Sequence, residues 1–360
     1  MPADVVKDRP HLMVWVPPGP QGSSLGSPQD RPMGAAALRL AERGINVVFG
    51  DQLQDGVAVG MRAEGDRWVE VEVPVCAVQD RYPSQSRAQQ WEQLHAEAHD
   101  AAIKVGNGRL LTLLCRDKLD CQSVLEEDPH LRLPPVCGDP ALMEDCISAW
   151  GGGFLKPRFG ALGVGVRKVA PGDDLPTRLP GVVPGHVDPA LVQWPVPPPK
   201  GCAGQVLRVL AQRAPDQSWT LLPPVLRQSA DDPVVNAARG ARVLPAEDVL
   251  PARAFDDVHD QVLRVCALLG TGHGIALELG IDLALDRDLR PWVLEVNSRP
   301  RGRLRVLARR WPDRFGSAHV DAMVRPLETL WLWESSEHSL AGTGRRHGHP
   351  SRHDRGQSSS

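Results

Sequence analysis

Hydrophobic and polar positions change their period several times along this chain, and each change marks an element. "HLMVWV" (11–16) is a short apolar run stopped by Pro17-Pro18, which predicts a buried strand. "MGAAALRLAERG" (33–44) has helical spacing and closes on a glycine, and "INVVFG" (45–50) follows as a second strand. That strand–helix–strand opening predicts a small α/β domain. "GVAVGMRAEGDRWVEVEVPV" (56–75) alternates about Glu64-Gly65 and predicts a hairpin. "SQSRAQQWEQLHAEAHDAAIKVG" (84–106) predicts a helix ending at its glycine.

A second unit begins near "RLLTLLCRDKLDCQSVLEE" (109–127), expected as a strand followed by a helix, and "PALMEDCISAW" (140–150) predicts another helix. Pro- and Gly-rich segments at 170–186 and 195–204 interrupt the middle of the chain. "QVLRVLAQ", "SWTLLPPVLRQS" and "VVNAARGARVLP" predict strands, and "AFDDVHDQVLRVCALLG" (254–270) an amphipathic helix. No internal repeat is present. From Ser335 onward apolar residues to bury are lacking, and the segment is expected to be disordered. Its four histidines fit a solvated tail better than a metal site.

The most informative pattern is "ALELGIDLALDRDLRPWVLEVNSRP" (276–300), where apolar and polar residues alternate through two runs. Folded about a two-residue turn at Asp288-Leu289, Asp282 faces Glu295, Gly280 faces Asn297 and Ile281 faces Val296. The apolar faces then coincide, which supports that register. One patch carries Asp282, Glu295 and Asn297. Two carboxylates directly across a ladder repel; a hard divalent cation such as Mg²⁺ removes that cost. The other reading is a polar face turned to water, common for antiparallel strands.

"FLKPRFGALGVGVRKV" (154–169) contains Gly160, Gly163 and Gly165 in the order GxxGxG. A P-loop requires GxxxxGK[ST] and a dinucleotide fingerprint GxGxxG, each running into a helix. Here the following residues predict a strand, so the stretch is either an ordinary turn or a flap of backbone N–H groups over phosphate. Lys156, on the strand entering it, is a candidate phosphate contact. A dinucleotide oxidoreductase is disfavoured for want of the fingerprint.

Composition narrows the classes further. Over 360 residues, 42% hydrophobic and 24% charged, the chain is an ordinary soluble type with room for two or three domains. A formal net charge of −3 gives no case for nucleic-acid or membrane-surface partners. Seven scattered cysteines without CxxC spacing fit reduced thiols in the cytoplasm better than disulfides or zinc. No signal-peptide pattern or membrane-length apolar run is present. Nothing in the pattern bears on oligomeric state.

A Lys-Pro strand, a glycine flap and a downstream D-x12-E-x-N hairpin together resemble the ATP-grasp superfamily, over roughly residues 109 to 330. Within it, "KPRFGALGVGVRKV" and "GIDLALD…WVLEVNSRPRG" are most similar to the YheC/YheD group associated with endospore coats. The resemblance implies an α/β (α+β) ATP-grasp fold, two subdomains clasping ATP. The division expected is an N-terminal α/β domain (1–105), an ATP-grasp domain (106–334, with the first lysine and glycine flap in 106–192 and the hinge and metal-binding core in 193–334) and the tail (335–360). It implies Lys118 and Lys156, the flap glycines, Gln193 on the hinge strand "LVQWPV", and Arg227 as nucleotide contacts. It implies Arg208, Asn236 and Arg239 as catalytic contacts, and Asp282, Glu295 and Asn297 as ligands for two Mg²⁺ ions, with Mn²⁺ as a substitute.

The implied activity is ATP-dependent ligation of a carboxylate to an amine, or to a thiol, through an acyl phosphate; a non-catalytic ATP-binding assembly partner is the alternative. Two positions depart from the family. Its Asp-Ile-Arg is Val-Leu-Arg at Arg208, which predicts an arginine without its acidic partner, and the second glycine of Arg-Gly-Gly is Ala241.

Overall fold

The computed structural model describes residues 11–16, 27–81, 88–181, 183, 185–236, 239–300 and 304–343. The Pro17-Pro18 stop, residues 84–87 of the second expected helix, and 344–360 of the expected tail lie outside the described residues.

The run at 11–16 forms β1 (His11–Trp15), buried along its whole length. Helix α1 (Pro32–Ala41) opens on a proline, where a missing N–H costs nothing. It leads to β2 (Val47–Gln54), parallel to β1. The expected hairpin is β3 (Val57–Glu64) and β4 (Arg67–Asp80), turning at Gly65-Asp66. The early part of β4 pairs with β3 and its end with β1, so the ladder β1-β2-β3-β4 closes on itself. Helix α2 (Ala88–Asp100) covers this sheet with Trp91 and Leu94. It ends sooner than expected because Ala102 turns left-handed (φ 54°). The chain then adds β5 (Lys104–Gly106) parallel to β4.

Residues 109–116 form helix α3 (Arg109–Arg116), not the expected strand. Leu110, Leu111, Leu113 and Leu114 fit a helical period as well as a continuous strand run, and a short apolar run alone does not separate the two. Helix α4 (Lys118–Leu125) follows at once, capped by Asp117, whose carboxylate accepts from the N–H groups of Leu119 (3.0 Å) and Asp120 (3.3 Å).

A second sheet contains β6 (Val136–Cys137), then, after α5 (Met143–Trp150), β7 (Gly153–Pro157), β8 (Arg167–Val169), β9 (Arg178–Pro180) and β10 (Val187–Gln193). Its order is β6-β10-β7-β8, with β9 also on β10. Met143 and Ile147 of α5 pack on Leu155 and Val192.

The third sheet contains β11 (Gly204–Arg213), β12 (Trp219–Leu221), β13 (Val225–Ser229), β14 (Arg242–Pro245) and, after α6 (Ala252–Leu269), β15 (Glu278–Leu285) and β16 (Pro291–Asn297). The order is β14-β13-β11-β15-β16, with β12 on β11. Of the expected strand at 234–245, residues 234–236 and 239–241 precede β14 without joining it, and 237–238 lie outside the described residues. One face buries Val258 and Val262 of α6 against Leu207, Leu279 and Ile281. The other receives α7 (Leu304–Arg310) and α8 (Pro312–Thr343), through Leu307 and Phe315. Helix α8 also places Val324, Leu327 and Leu330 in one core with Leu12, Val14 and Leu40 of the first unit. It continues past Ser335 to Thr343, into the segment expected to be disordered. A helix already anchored by packing extends at small cost, and no proline interrupts 335–343.

Candidate active site

The β15–β16 ladder has the expected register where it matters: Gly280 pairs with Asn297, Ile281 with Val296 and Asp282 with Glu295. Nearer the turn the register shifts by one, so Leu283 pairs with Val293 and Leu294 is the extra residue of a bulge. The connection is therefore three residues rather than two. Asp286 accepts from the N–H groups of Asp288 (2.9 Å) and Arg290 (2.8 Å), while Leu289 takes φ 64°. Bulge and longer turn cancel.

Asp282 is 4% exposed. Arg208, opposite it on β11, donates Nε and Nη2 to the two carboxylate oxygens at 2.6 Å each. Arg227 of β13 donates a third bond at 2.5 Å. Burial by itself would raise the Asp282 pKa, but the guanidiniums of Arg208 and Arg227 outweigh it and hold the carboxyl below its usual value. The expectation that Arg208 lacks an acidic partner is thus corrected. With Val206 where the family has an acid, the partner comes from across the ladder. Arg227, expected at the nucleotide, is a second arm of the same clamp. Next to it, Asn297 Nδ2 approaches Glu295 Oε1 at 3.3 Å.

Two ammonium groups face this patch. Lys156 lies on β7 opposite Leu191 of β10, and its Nζ donates to Gln193 Oε1. Burial pushes Lys156 down to about 8, with Glu295 and Asp282 pulling it up and Lys118 pushing it down. Lys118, at the first turn of α4, is also lowered by burial, against the pull of Glu295, Asp188 and Asp117. Its Nζ donates to Gly160 O and to Arg158 O (3.4 Å), at the root of the glycine loop.

The loop between β7 and β8 is a flap fixed at both ends. Arg158 makes a two-pronged contact with Asp117 (2.7 and 2.6 Å). Gly163 has φ 73°, and a Cβ there would lie 2.9 Å from Asn236 Nδ2. Gly160 and Gly165 flank it, the latter also left-handed. At the tip Leu162 takes φ 61°, an unusual state for a non-glycine residue. Its carbonyl accepts from Asn236 Nδ2. Arg239 donates to Val166 O (3.3 Å) and to Asp232 (2.7 Å).

The structure therefore brings Lys118, Lys156, Gln193, Arg208, Arg227, Asp282, Glu295 and Asn297 together, and sets Asn236 and Arg239 against the flap. The flap anchor Arg158 and its partner Asp117 were missed. Each adjoins an expected lysine segment, and Asp117 carries an N-cap signal. A second missed group lies at the border with the first sheet. Glu278 is held by Gln79 (3.2 Å), Arg81 (2.9 Å) and Gln212 (3.2 Å), and burial raises its pKa against them.

The donor chemistry suits magnesium nucleotide. Glu295 and Asn297 offer hard oxygens on one face, beside two ammonium groups fit for phosphate. Among the described residues no group of three or more His, Cys, Asp or Glu forms a metal cluster. The third donor of this set is an amide.

Comparison with known proteins identifies the fold. Residues 206–310, which carry the clamp and the hairpin, match a family described as YheC/D like ATP-grasp. The D-alanine--D-alanine ligase of Bacillus anthracis aligns at TM-score 0.57 and 15% identity, covering 91% of this chain and 100% of that one. The VanG D-Ala:D-Ser ligase of Enterococcus faecalis aligns at 0.57 and 10% identity, covering 89% and 100%. The ATP-grasp ligase PsnB, in complex with a precursor variant, Mg and ADP, aligns at 0.53 and 18% identity, covering 91% and 99%. No curated protein matches the sequence. The chain has the ATP-grasp fold of these ligases. Among the described residues no helix is long and apolar enough to cross a membrane.

Proposed function

We propose that this protein is an ATP-dependent ligase that joins a carboxylate to an amine through an acyl phosphate. The observation that carries the reading is the convergence of Lys118 and Lys156 on the Asp282–Glu295 patch under the glycine flap. A triphosphate needs cations placed before it arrives, and phosphoryl transfer asks the protein for position and charge neutralisation more than for covalent chemistry. A carboxylate oxygen of the acid attacks the γ-phosphorus, and the bond to ADP breaks. The amine nitrogen then attacks the acyl carbon, and phosphate leaves with the bonding pair.

In this scheme Lys118 and Lys156 hold the phosphate oxygens, and Gln193 sits at the hinge. Arg208 and Arg227 set the charge on Asp282. The flap, latched by Asn236 and Arg239, keeps water from the activated acid. Glu295 and Asn297, with Asp282, would hold Mg²⁺, which when bound neutralises the β- and γ-phosphates. All seven cysteines are free, which favours a reducing compartment such as the cytoplasm.

Glu295→Gln tests the assignment. ADP release with pooled acids and amines is expected to fall by at least ~100-fold while the melting temperature stays within a few degrees. Undiminished turnover would sink it. One observation favours the non-catalytic alternative: both oxygens of Asp282 are already taken by arginines. Tight ATP binding by calorimetry without ADP release on any acid–amine pool would decide for that alternative.

A further inference from the structure

The chain that leaves β16 is strongly basic. Seven of the sixteen residues from Arg299 to Arg314 are arginine, against one acid, Asp313, in a chain whose formal net charge is −3. Arg299 is paired with buried Asp80 (3.4 Å), and Arg314 with Glu247 and Asp248. Arg310 lies 4.8 Å from the centre of the Trp311 ring, while Arg301 and Arg303 are outside the described residues. Arg305 and Arg309 of α7 remain. Both are exposed, and among the described residues neither side chain has an ion pair or a hydrogen bond.

Leu304 and Leu307 turn one side of α7 into a core with Leu210, Phe315 and Ala322. That leaves Arg305 and Arg309 one turn apart on the outer side, a spacing at which like charges repel. Arg305 also stands in the first turn, where the helix dipole disfavours a cation. His319 lies on the same stripe of α8 as Phe315 and Ala322, which pack against α7. It is 8% exposed, and its Nε2 is buried without a hydrogen-bond partner among the described residues. Burial, then the guanidiniums of Arg305 and Arg309, lower its pKa, so the imidazole sits in the field of both arginines. An anion on this face would relieve all three.

The chemistry of the face selects among anions. Its cations are guanidiniums, whose planar fork takes a carboxylate in two-pronged fashion. Side chains one helical turn apart leave the backbone about 5–6 Å from each other, close to the ~7 Å between alternate residues of an extended chain. Nucleic acid fits less well. Two free guanidiniums meet few charges of a duplex that carries one every ~1.7 Å, and the negative balance of the whole chain opposes it. Trp311, the ring that follows α7, is taken by Arg310 and by an edge-on contact with Phe315, so it is no free platform for bases. The leucines of α7 are buried in the core, which leaves none to enter a bilayer.

We infer that the Arg305–Arg309 face of α7 docks an acidic polypeptide segment of a partner protein, one with carboxylates at alternate positions of an extended stretch. The docking does not depend on the ligase reading, but its place is suggestive in physical terms. Leu210, under α7, pairs with Gly280, and Gly280 lies against Pro300 on the sheet face that also carries Arg208 and Asp282. A segment held on α7 therefore runs along the rim of that patch.

The test uses the full chain at low salt, where surface pairs are least screened. Fluorescence anisotropy is read with labelled decapeptides that alternate serine with glutamate or serine with glutamine, and with a single-stranded hexanucleotide. Sedimentation is read with vesicles of phosphatidylcholine and phosphatidylserine. The glutamate peptide is expected to bind about tenfold more tightly than the glutamine peptide. The double variant Arg305→Gln/Arg309→Gln should lose that margin, about tenfold, with the melting temperature unchanged because both side chains are exposed. Arg67→Gln, an exposed arginine of the first hairpin, should bind as the wild type does. Equal affinity for the two peptides, or undiminished binding of the glutamate peptide by the double variant, would overturn the docking face. Tighter binding of the hexanucleotide or the vesicles than of the glutamate peptide would overturn the choice of a polypeptide.

Discussion

Lys156 keeps its ammonium at a pKa of about 8 because burial outweighs the attraction of Glu295 and Asp282. Phosphate oxygens beside it would favour the protonated form. Above that pKa the free protein carries the neutral amine, so nucleotide binding there must take up a proton. ATP affinity is expected to be level well below pH 8 and to fall, towards about tenfold per pH unit, above it. Calorimetry in buffers of different ionisation enthalpy reads the uptake directly. Lys156→Met should abolish both the slope and the uptake; a wild-type protein without uptake above pH 8 would remove Lys156 from the phosphate. The carboxylates divide in a complementary way. Asp282→Asn leaves two buried guanidiniums facing a neutral amide and is expected to cost about 3 kcal/mol or more in urea unfolding. Glu295 has no such clamp, so Glu295→Gln separates chemistry from stability where Asp282→Asn does not.

The flap is the element in which strain and function meet. Its tip holds Leu162 left-handed, and that arrangement persists because Asn236 takes the Leu162 carbonyl while Arg239 takes Val166. Asn236→Ala is expected to raise amide hydrogen exchange across 160–166 by about tenfold, the loss of one hydrogen bond. Unchanged protection would show that the latch is elsewhere. The glycine loop between two strands and the β15–β16 hairpin were both legible in the sequence, for one reason: each is a local pattern, glycines between strands or a two-residue alternation. Even so, the hairpin register was right at Asp282 and Glu295 while the turn and the Leu294 bulge were both missed, because two one-residue errors cancel in the pairing. Helix α3 was misread since four leucines in six residues satisfy either period. The clamp was misread because Arg208 meets Asp282 across 74 positions of sequence, and no local pattern records which strand will lie beside β11.

At the scale of the whole molecule, the first sheet is tied to the third at a point just beyond the proposed boundary at residue 105. Asn107 is buried there and works as a four-way connector. Its Nδ2 donates to the carbonyls of Glu278 (2.5 Å) and Ser298, and its Oδ1 accepts from the N–H groups of Leu277 (2.5 Å) and Glu278 (3.0 Å). The same segment of β15 receives Gln79 and Arg81 from the first unit through the Glu278 carboxylate. Any acid or amine pocket bordered by residues 1–105 depends on this joint, since it sets where the first sheet stands relative to the Asp282 patch four residues along β15. Asn107→Ala would strand several buried backbone groups at about 1–3 kcal/mol each. The expected result is a lower urea midpoint together with a rise in KM for the acid and amine, while ATP affinity changes little because Lys118, Lys156 and Glu295 do not touch Asn107. Equal losses of ATP and acceptor binding would instead mean that the joint supports the whole site.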